Sequence, residues 1–217
     1  MATITKIQPQ VKRDGYYNIF VDDAFFCSLS DLQLSLLALK VGQELSDGEK
    51  DKILESSAIS KTYNRALYYL QFGPRTVSQM RTYLLRKDFN EEYIEVVLEM
   101  LIKEHYLNDE LLARTFVEDR QHFKPRSRRQ LQAELRKKGI GSETIELVLS
   151  ELEEDDQLVA IKTLAEKKMR QTRYQDSTKM TQYLLRQGFV YSDVKQVLSE
   201  LTFSDNKTDN NPNYRQP

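Results

Sequence analysis

Leu84-Leu85-Arg86-Lys87-Asp88-Phe89, Leu135-Arg136-Lys137-Lys138-Gly139-Ile140 and Leu184-Leu185-Arg186-Gln187-Gly188-Phe189 are three spellings of one segment. Upstream of each stands an alanine in a helical pattern, Ala66, Ala113 and Ala160. Downstream of each runs an apolar ladder: Ile94, Val97, Leu98, Leu101; Ile145, Val148, Leu149, Leu152; Val194, Val197, Leu198, Leu201. From Phe89, Ile140 or Phe189 to the first leucine of its ladder is nine residues in every copy. Apolar residues at three- and four-residue intervals line one face of a helix, and self-similarity at a long fixed period marks tandem helical modules. Such a chain is expected to present an extended surface rather than enclose a pocket.

Helix punctuation supports three helices per copy. Thr76, Ser127 and Asp176 stand twelve residues before Asp88, Gly139 and Gly188. The first three are N-cap types; the glycines suit the left-handed residue that ends a helix, and an aspartate can adopt it at some cost. Gln79 and Gln130 are placed to close capping boxes with Thr76 and Ser127, whereas the third copy has Lys179 there. Asn90, Ser142 and Ser192 or Asp193 are the expected caps of the ladder helices, and Asn108 of the helix opening copy two.

Upstream, residues 3–29 are the one β-like region. Ile4, Ile7 and Val11 precede Arg13-Asp14-Gly15; Tyr16–Val21 precedes Asp22-Asp23; Ala24–Leu29 follows. Aromatic and β-branched runs divided by Asp-Gly and Asp-Asp predict a meander of two or three strands. Its cover is expected from a helix capped by Ser30 with Leu32, Leu36 and Leu39 on one face. A second helix, opened by Ser46-x-x-Glu49, continues with or without a break at Ser56-Ser57 into Tyr63 to Leu70. The expected architecture is therefore mostly α: an elongated array of three tandem three-helix modules behind a small N-terminal β-meander with helices. The expected division is 1–57, 58–107, 108–154, 155–203, and a disordered tail at 204–217 without apolar period.

Composition narrows the chemistry. Thirty-two Lys and Arg against 33 Asp and Glu give a net charge of −1, and the mean hydropathy is −0.61. One cysteine, Cys27 in Phe25-Phe26-Cys27, forbids an intrachain disulfide, fits a reducing compartment and reads as a buried thiol. No secretory leader or window of about 20 apolar residues is present, so a cytoplasmic location is expected. His105 and His122 lack partners at metal-ligand spacing. Gly139-Ile140-Gly141 reads as an inter-helix turn, and Glu153 to Asp156 as a solvated helix junction. No catalytic residue, cofactor, metal or small-molecule substrate is expected.

The near-zero net charge hides segregation. Between Arg114 and Lys138 lie nine bases against Glu118, Asp119 and Glu134, while the ladder helices are acidic. The candidate anchor for a polyanion is Arg120, Lys124, Arg126, Arg128, Arg129, Arg136, Lys137 and Lys138, helped by Arg75, Arg81 and Arg86 in copy one and Arg173 and Arg186 in copy three. A basic second helix in every module would give a positive stripe that neutralises phosphates or engages an acidic groove. The bland reading, that these bases only solvate helix faces, stands beside it. Tyr68, Tyr69, Tyr83 and Tyr183 could stack on bases, although beside leucines at helical spacing they read as core.

Residues 60–203 resemble the RecX family of bacterial recombination regulators. The likeness rests on Ala66-Leu67-Tyr68-Tyr69-Leu70 with Arg75-Thr76, on Leu107-Asn108-Asp109 through Ala113-Arg114, Phe116-Val117 and Arg120, and on Leu131 to Leu135 with Lys138-Gly139-Ile140. Residues 3–55 resemble the variable N-terminal region of longer members. The chain departs from the pattern at Asp88, where glycine is usual, and at Lys124-Pro125, where a glycine-containing link is common. The resemblance implies a non-enzymatic protein that binds RecA nucleoprotein filaments; single- and double-stranded DNA are expected partners of the basic surface, and a monomer is expected. It also implies restraint of strand exchange, ATP hydrolysis and coprotease activity in homologous recombination, DNA repair and the SOS response. A DNA-binding protein acting without RecA is the alternative.

Overall fold

The computed structural model describes residues 2–11 and 13–201; the expected tail at 204–217 lies outside them. The backbone divides into two compact units, the first ending at Asn108 and the second beginning at Asp109.

The first unit opens with an antiparallel sheet of order β3-β2-β1-β4, made of β1 (Ala2–Pro9), β2 (Tyr16–Val21), β3 (Ala24–Ser30) and β4 (Glu44–Leu45). The β2–β3 turn places both Asp22 (φ 47°) and Asp23 (φ 63°) in the left-handed region, as the tight hairpin turn that matches strand twist demands. The fourth strand was not expected: two residues pairing Leu45 with Ala2 are too short to show any period. Ile4, Ile19, Cys27, Leu29, Leu45 and Ile53 form the core. Cys27 is 2% exposed, and burial pushes its thiol up to about 11 while Lys61 opposes the shift.

One expectation about the cover fails. Helix α1 (Asp31–Leu36) is only six residues long, and Leu32 and Leu36 are 68% and 75% exposed. Ala38, at φ 48°, turns the chain early, so Leu34 and Leu37 join the expected Leu39 against the sheet. The principal cover is α2 (Asp47–Leu70), 24 residues without a break. Ser46 and Glu49 close its capping box, and Ser57 donates its hydroxyl to the Ser28 carbonyl at 2.8 Å. The far half of α2 packs on α3 (Val77–Leu85) and α4 (Glu91–Lys103) around Ala66, Met80, Leu84, Ile94, Val97, Leu98 and Leu101. Truncating a fully enclosed leucine such as Leu84 costs about 2–5 kcal/mol.

The second unit repeats this arrangement twice. Helices α5 (Asp109–Phe123), α6 (Arg128–Lys137) and α7 (Ser142–Ser150) enclose Ala113, Leu131, Leu135, Ile145 and Val148. Helices α8 (Glu154–Met169), α9 (Ser177–Arg186) and α10 (Tyr191–Glu200) enclose Ile161, Ala165, Met180, Leu184 and Val194. Between α8 and α9 lies a single 3-10 turn, Thr172–Tyr174. Thr76, Ser127 and Asp176 cap the second helix of their modules, and Asp88, Gly139 and Gly188 take φ values of 59°, 81° and 86°. Some caps differ from expectation. Ser142 is already inside α7, which starts from Gly141, and α10 starts from Val190 rather than Ser192 or Asp193; neither cap bonds through a side chain. Gln130 does not close the box with Ser127: its side-chain NH2 donates to the Gln187 side-chain oxygen of the third module at 2.8 Å, and its own side-chain oxygen is left without a partner among the described residues.

Candidate nucleic-acid interface

The site is built on α6. Leu131 and Leu135, one turn apart, bury the inner face of the helix. At 100° per residue the opposite face carries Arg129, Ala133, Arg136 and Lys137, and all four are exposed. The last two occupy the final turn, where the helix dipole itself favours cations. None of Arg129, Arg136 and Lys137 has an ion pair among the described residues. The N-terminus of α6 is anchored in the third module. Ser127, fully enclosed, accepts from the Gln130 N–H at 3.2 Å and donates to the Gln187 carbonyl at 2.6 Å. The Arg128 N–H donates to Gln157 at 3.0 Å. Gly188 lies so close that a Cβ there would stand 3.0 Å from the Ser127 hydroxyl and 3.2 Å from Arg129.

Other bases of the candidate set are occupied within their own unit. Arg120 and Arg126 both pair with Glu134, at 2.8 and 3.2 Å. Arg120 and Lys138 lie over the Phe116 ring at 4.5 and 4.9 Å. Arg128 donates to the Leu152 carbonyl at 2.9 Å. Arg114 bridges Glu110 at 2.8 Å and Glu151 of α7, and its guanidinium holds the Glu151 carboxyl below the ordinary range through hydrogen bonding. Lys124 is exposed just past α5.

In the first module Arg75 stacks over Tyr69 at 4.6 Å and donates to the Phe72 carbonyl at 3.1 Å. Arg81 pairs with Glu95 at 2.7 Å. Arg86 and Lys87 are exposed. In the third module Arg173 and Arg186 are exposed, with Arg173 5.8 Å from the Tyr174 ring. Lys168 lies 5.0 and 5.2 Å from the rings of Tyr174 and Tyr183. Burial and Tyr174 raise the Tyr183 hydroxyl's pKa, with Arg126 opposing. One register recurs throughout: two residues past the buried Leu84, Leu135 and Leu184 stands an exposed cation, Arg86, Lys137 or Arg186.

Tyr69 and Tyr83 stack on each other at 3.9 Å and pack on the core, as does Tyr183. Tyr68 differs: it is 50% exposed. It shares a hollow with Arg13, Lys61 and Arg65, three bases that sequence reading passes over. Lys61 and Arg65 show only the four-residue spacing of any helix face, and Arg13 lies some fifty residues away. Among the described residues no helix is long and apolar enough to cross a membrane, and no three His, Cys, Asp or Glu gather to hold a metal ion.

Known proteins match along most of the chain. The RecX N-terminal domain matches residues 2–46, and the first, second and third three-helix domains of RecX match 63–101, 108–149 and 154–198. The regulatory protein RecX of Halalkalibacterium halodurans is 31% identical over 94% of this chain and 78% of its own length. That of Clostridioides difficile is 30% identical over 93% of this chain and 96% of its own. A crystal structure of regulatory protein RecX superposes with a TM-score of 0.79 at 29% identity, covering 92% of this chain and all of that one.

Proposed function

The chain belongs to the RecX family of regulatory proteins, and on that premise we propose that it binds RecA nucleoprotein filaments and restrains RecA strand exchange, ATP hydrolysis and coprotease activity. The role is regulatory binding by a monomer, without catalysis. The observation that supports it is the exposed cation at one register of all three modules, Arg86, Lys137 and Arg186, reinforced by Arg129 and Arg136 on the outer face of α6. A periodic set of unpaired cations suits a periodic polyanion, such as single- or double-stranded DNA held in a filament. The bases already paired with Glu134 and Glu95 tie helices within their own modules, so they are assigned a lesser share of contact.

The test is RecA ATP hydrolysis on single-stranded DNA with increasing amounts of this protein. A dose-dependent loss at substoichiometric levels is expected. No response at excess, with equal affinity for bare DNA and filament, would replace this reading by DNA binding independent of RecA.

A further inference from the structure

We infer that the first unit carries a second nucleic-acid site: Arg13, Lys61 and Arg65 would hold the phosphates of a single strand while Tyr68 and Phe72 stack on its bases. The inference rests on the nucleic-acid part of the function proposed above but uses none of the residues named there.

Lys61, Arg65, Tyr68 and Phe72 recur at three- and four-residue intervals, so they form a single file on the solvent side of α2 and just past its end. All four are exposed, the two rings by 50% and 63%. The rings meet edge to face at 5.3 Å, so each covers at most one face of the other. Behind the file opens a hollow of about 420 Å³ lined by Arg13, Lys61, Asn64, Arg65, Tyr68 and Phe89: three cations and no carboxylate.

The sheet brings the third cation to the helix. Asn64 donates its side-chain amide to the Tyr16 hydroxyl at 2.7 Å, fixing the first hairpin against α2. The Arg13 guanidinium lies 4.0 Å above the Tyr16 ring, and Arg65 lies 5.8 Å from Tyr68. None of the three bases has an ion pair among the described residues. Asp14 accepts from the Gly15 N–H of its own turn at 3.0 Å, and Asp88 shares an adjoining hollow with Lys61 without pairing to it.

Cations alone would only solvate the helix. Alternation of unpaired cations with half-exposed rings matches the alternation of phosphate and base along a single strand. Stacking needs unpaired bases, which a duplex withholds, so the committed ligand is single-stranded rather than double-stranded.

The experiment uses the full chain and a fluorescent oligothymidylate, followed by anisotropy across a salt series. Lys61→Ala with Arg65→Ala should lower the slope of log affinity against log salt by about 1.4, at roughly 0.7 per contact on a single strand. Tyr68→Ala should weaken binding about tenfold with the slope unchanged. As a readout independent of mutation, photocrosslinking of an iodouracil-substituted oligonucleotide to the unaltered protein should map to the peptide containing Tyr68 and Phe72. Unaltered binding by both variants overturns this site and leaves the RecA reading standing. Loss of RecA restraint with oligothymidylate binding intact also overturns it, and assigns the patch to an acidic protein surface. Failure of the unaltered protein to bind oligothymidylate overturns the site together with the nucleic-acid part of the proposed function.

Discussion

Ser127 donates its hydroxyl to the Gln187 carbonyl at 2.6 Å, so one buried side chain both starts the cationic helix of the second module and closes the last turn of the equivalent helix in the third. The bond is polar, enclosed and 60 residues long in sequence. Buried hydroxyls are costly to strand, which makes this contact sensitive to loss of either partner.

Ser127→Ala removes the cap and the inter-module bond together. Destabilisation of about 1–2 kcal/mol is expected by urea unfolding. Asp176→Ala removes a cap, accepting from the Lys179 N–H at 3.0 Å, and a long, solvent-screened pair with the Lys179 ammonium at 3.8 Å, and should cost about half as much. Equal costs would mean that the Gln187 bond contributes nothing.

Gly188→Ala faces both a φ of 86° and neighbours 3.0–3.2 Å away. A loss of about 2–3 kcal/mol is expected. Gly42→Ala, with φ 85° and open space around it, should lose only about 1 kcal/mol. Equal losses would show that Ser127 and Arg129 yield freely.

At Asp88 the helix ends on a non-glycine residue with φ 59°. Asp88→Gly relieves that conformation but frees the unfolded chain, for a net gain of about 0.5 kcal/mol. Thermal unfolding of the variant should shift upward; a downward shift would mean that the Asp88 side chain makes a stabilising contact.

Arg129, Arg136 and Lys137 form the unpaired face of α6. Their joint replacement by Ala should flatten the salt dependence of DNA binding by about two to three units, at 0.7–0.9 per contact. Arg120→Ala with Arg126→Ala, which strips Glu134 of both partners, should chiefly lower stability. The reverse pattern would move the contact surface to the Glu134 cluster.

Acid should loosen the tie between α5 and α7. Arg114 holds the folded Glu151 carboxyl below its ordinary 4.5. This stabilisation is present above that value and is lost as pH falls through the lower folded one. The stability gap between the unaltered protein and Arg114→Ala should therefore be full at pH 7, begin to shrink near pH 4.5 and close as pH falls through the lower folded value. A gap that persists in acid would remove the charge from the explanation.

Periodicity carried the helices. The ladders Ile94–Leu101, Ile145–Leu152 and Val194–Leu198 and the left-handed ends at Asp88, Gly139 and Gly188 could be read directly, because core burial and backbone sterics act within a few residues of each position. The site was legible only as a list of bases. Charge has no period that tells Arg126, locked on Glu134, from Arg129, open to solvent. Fourth-strand pairing at Leu45, redirection of Gln130 to Gln187 and convergence of Arg13 on Lys61 and Arg65 all depend on partners 20 or more residues away; exposure of Leu32 and Leu36 follows from the turn at Ala38, a residue with no left-handed preference to read. Local sequence set where helices begin, end and turn their apolar sides; only tertiary packing decided which cations pair with a neighbouring carboxylate and which stay open to solvent.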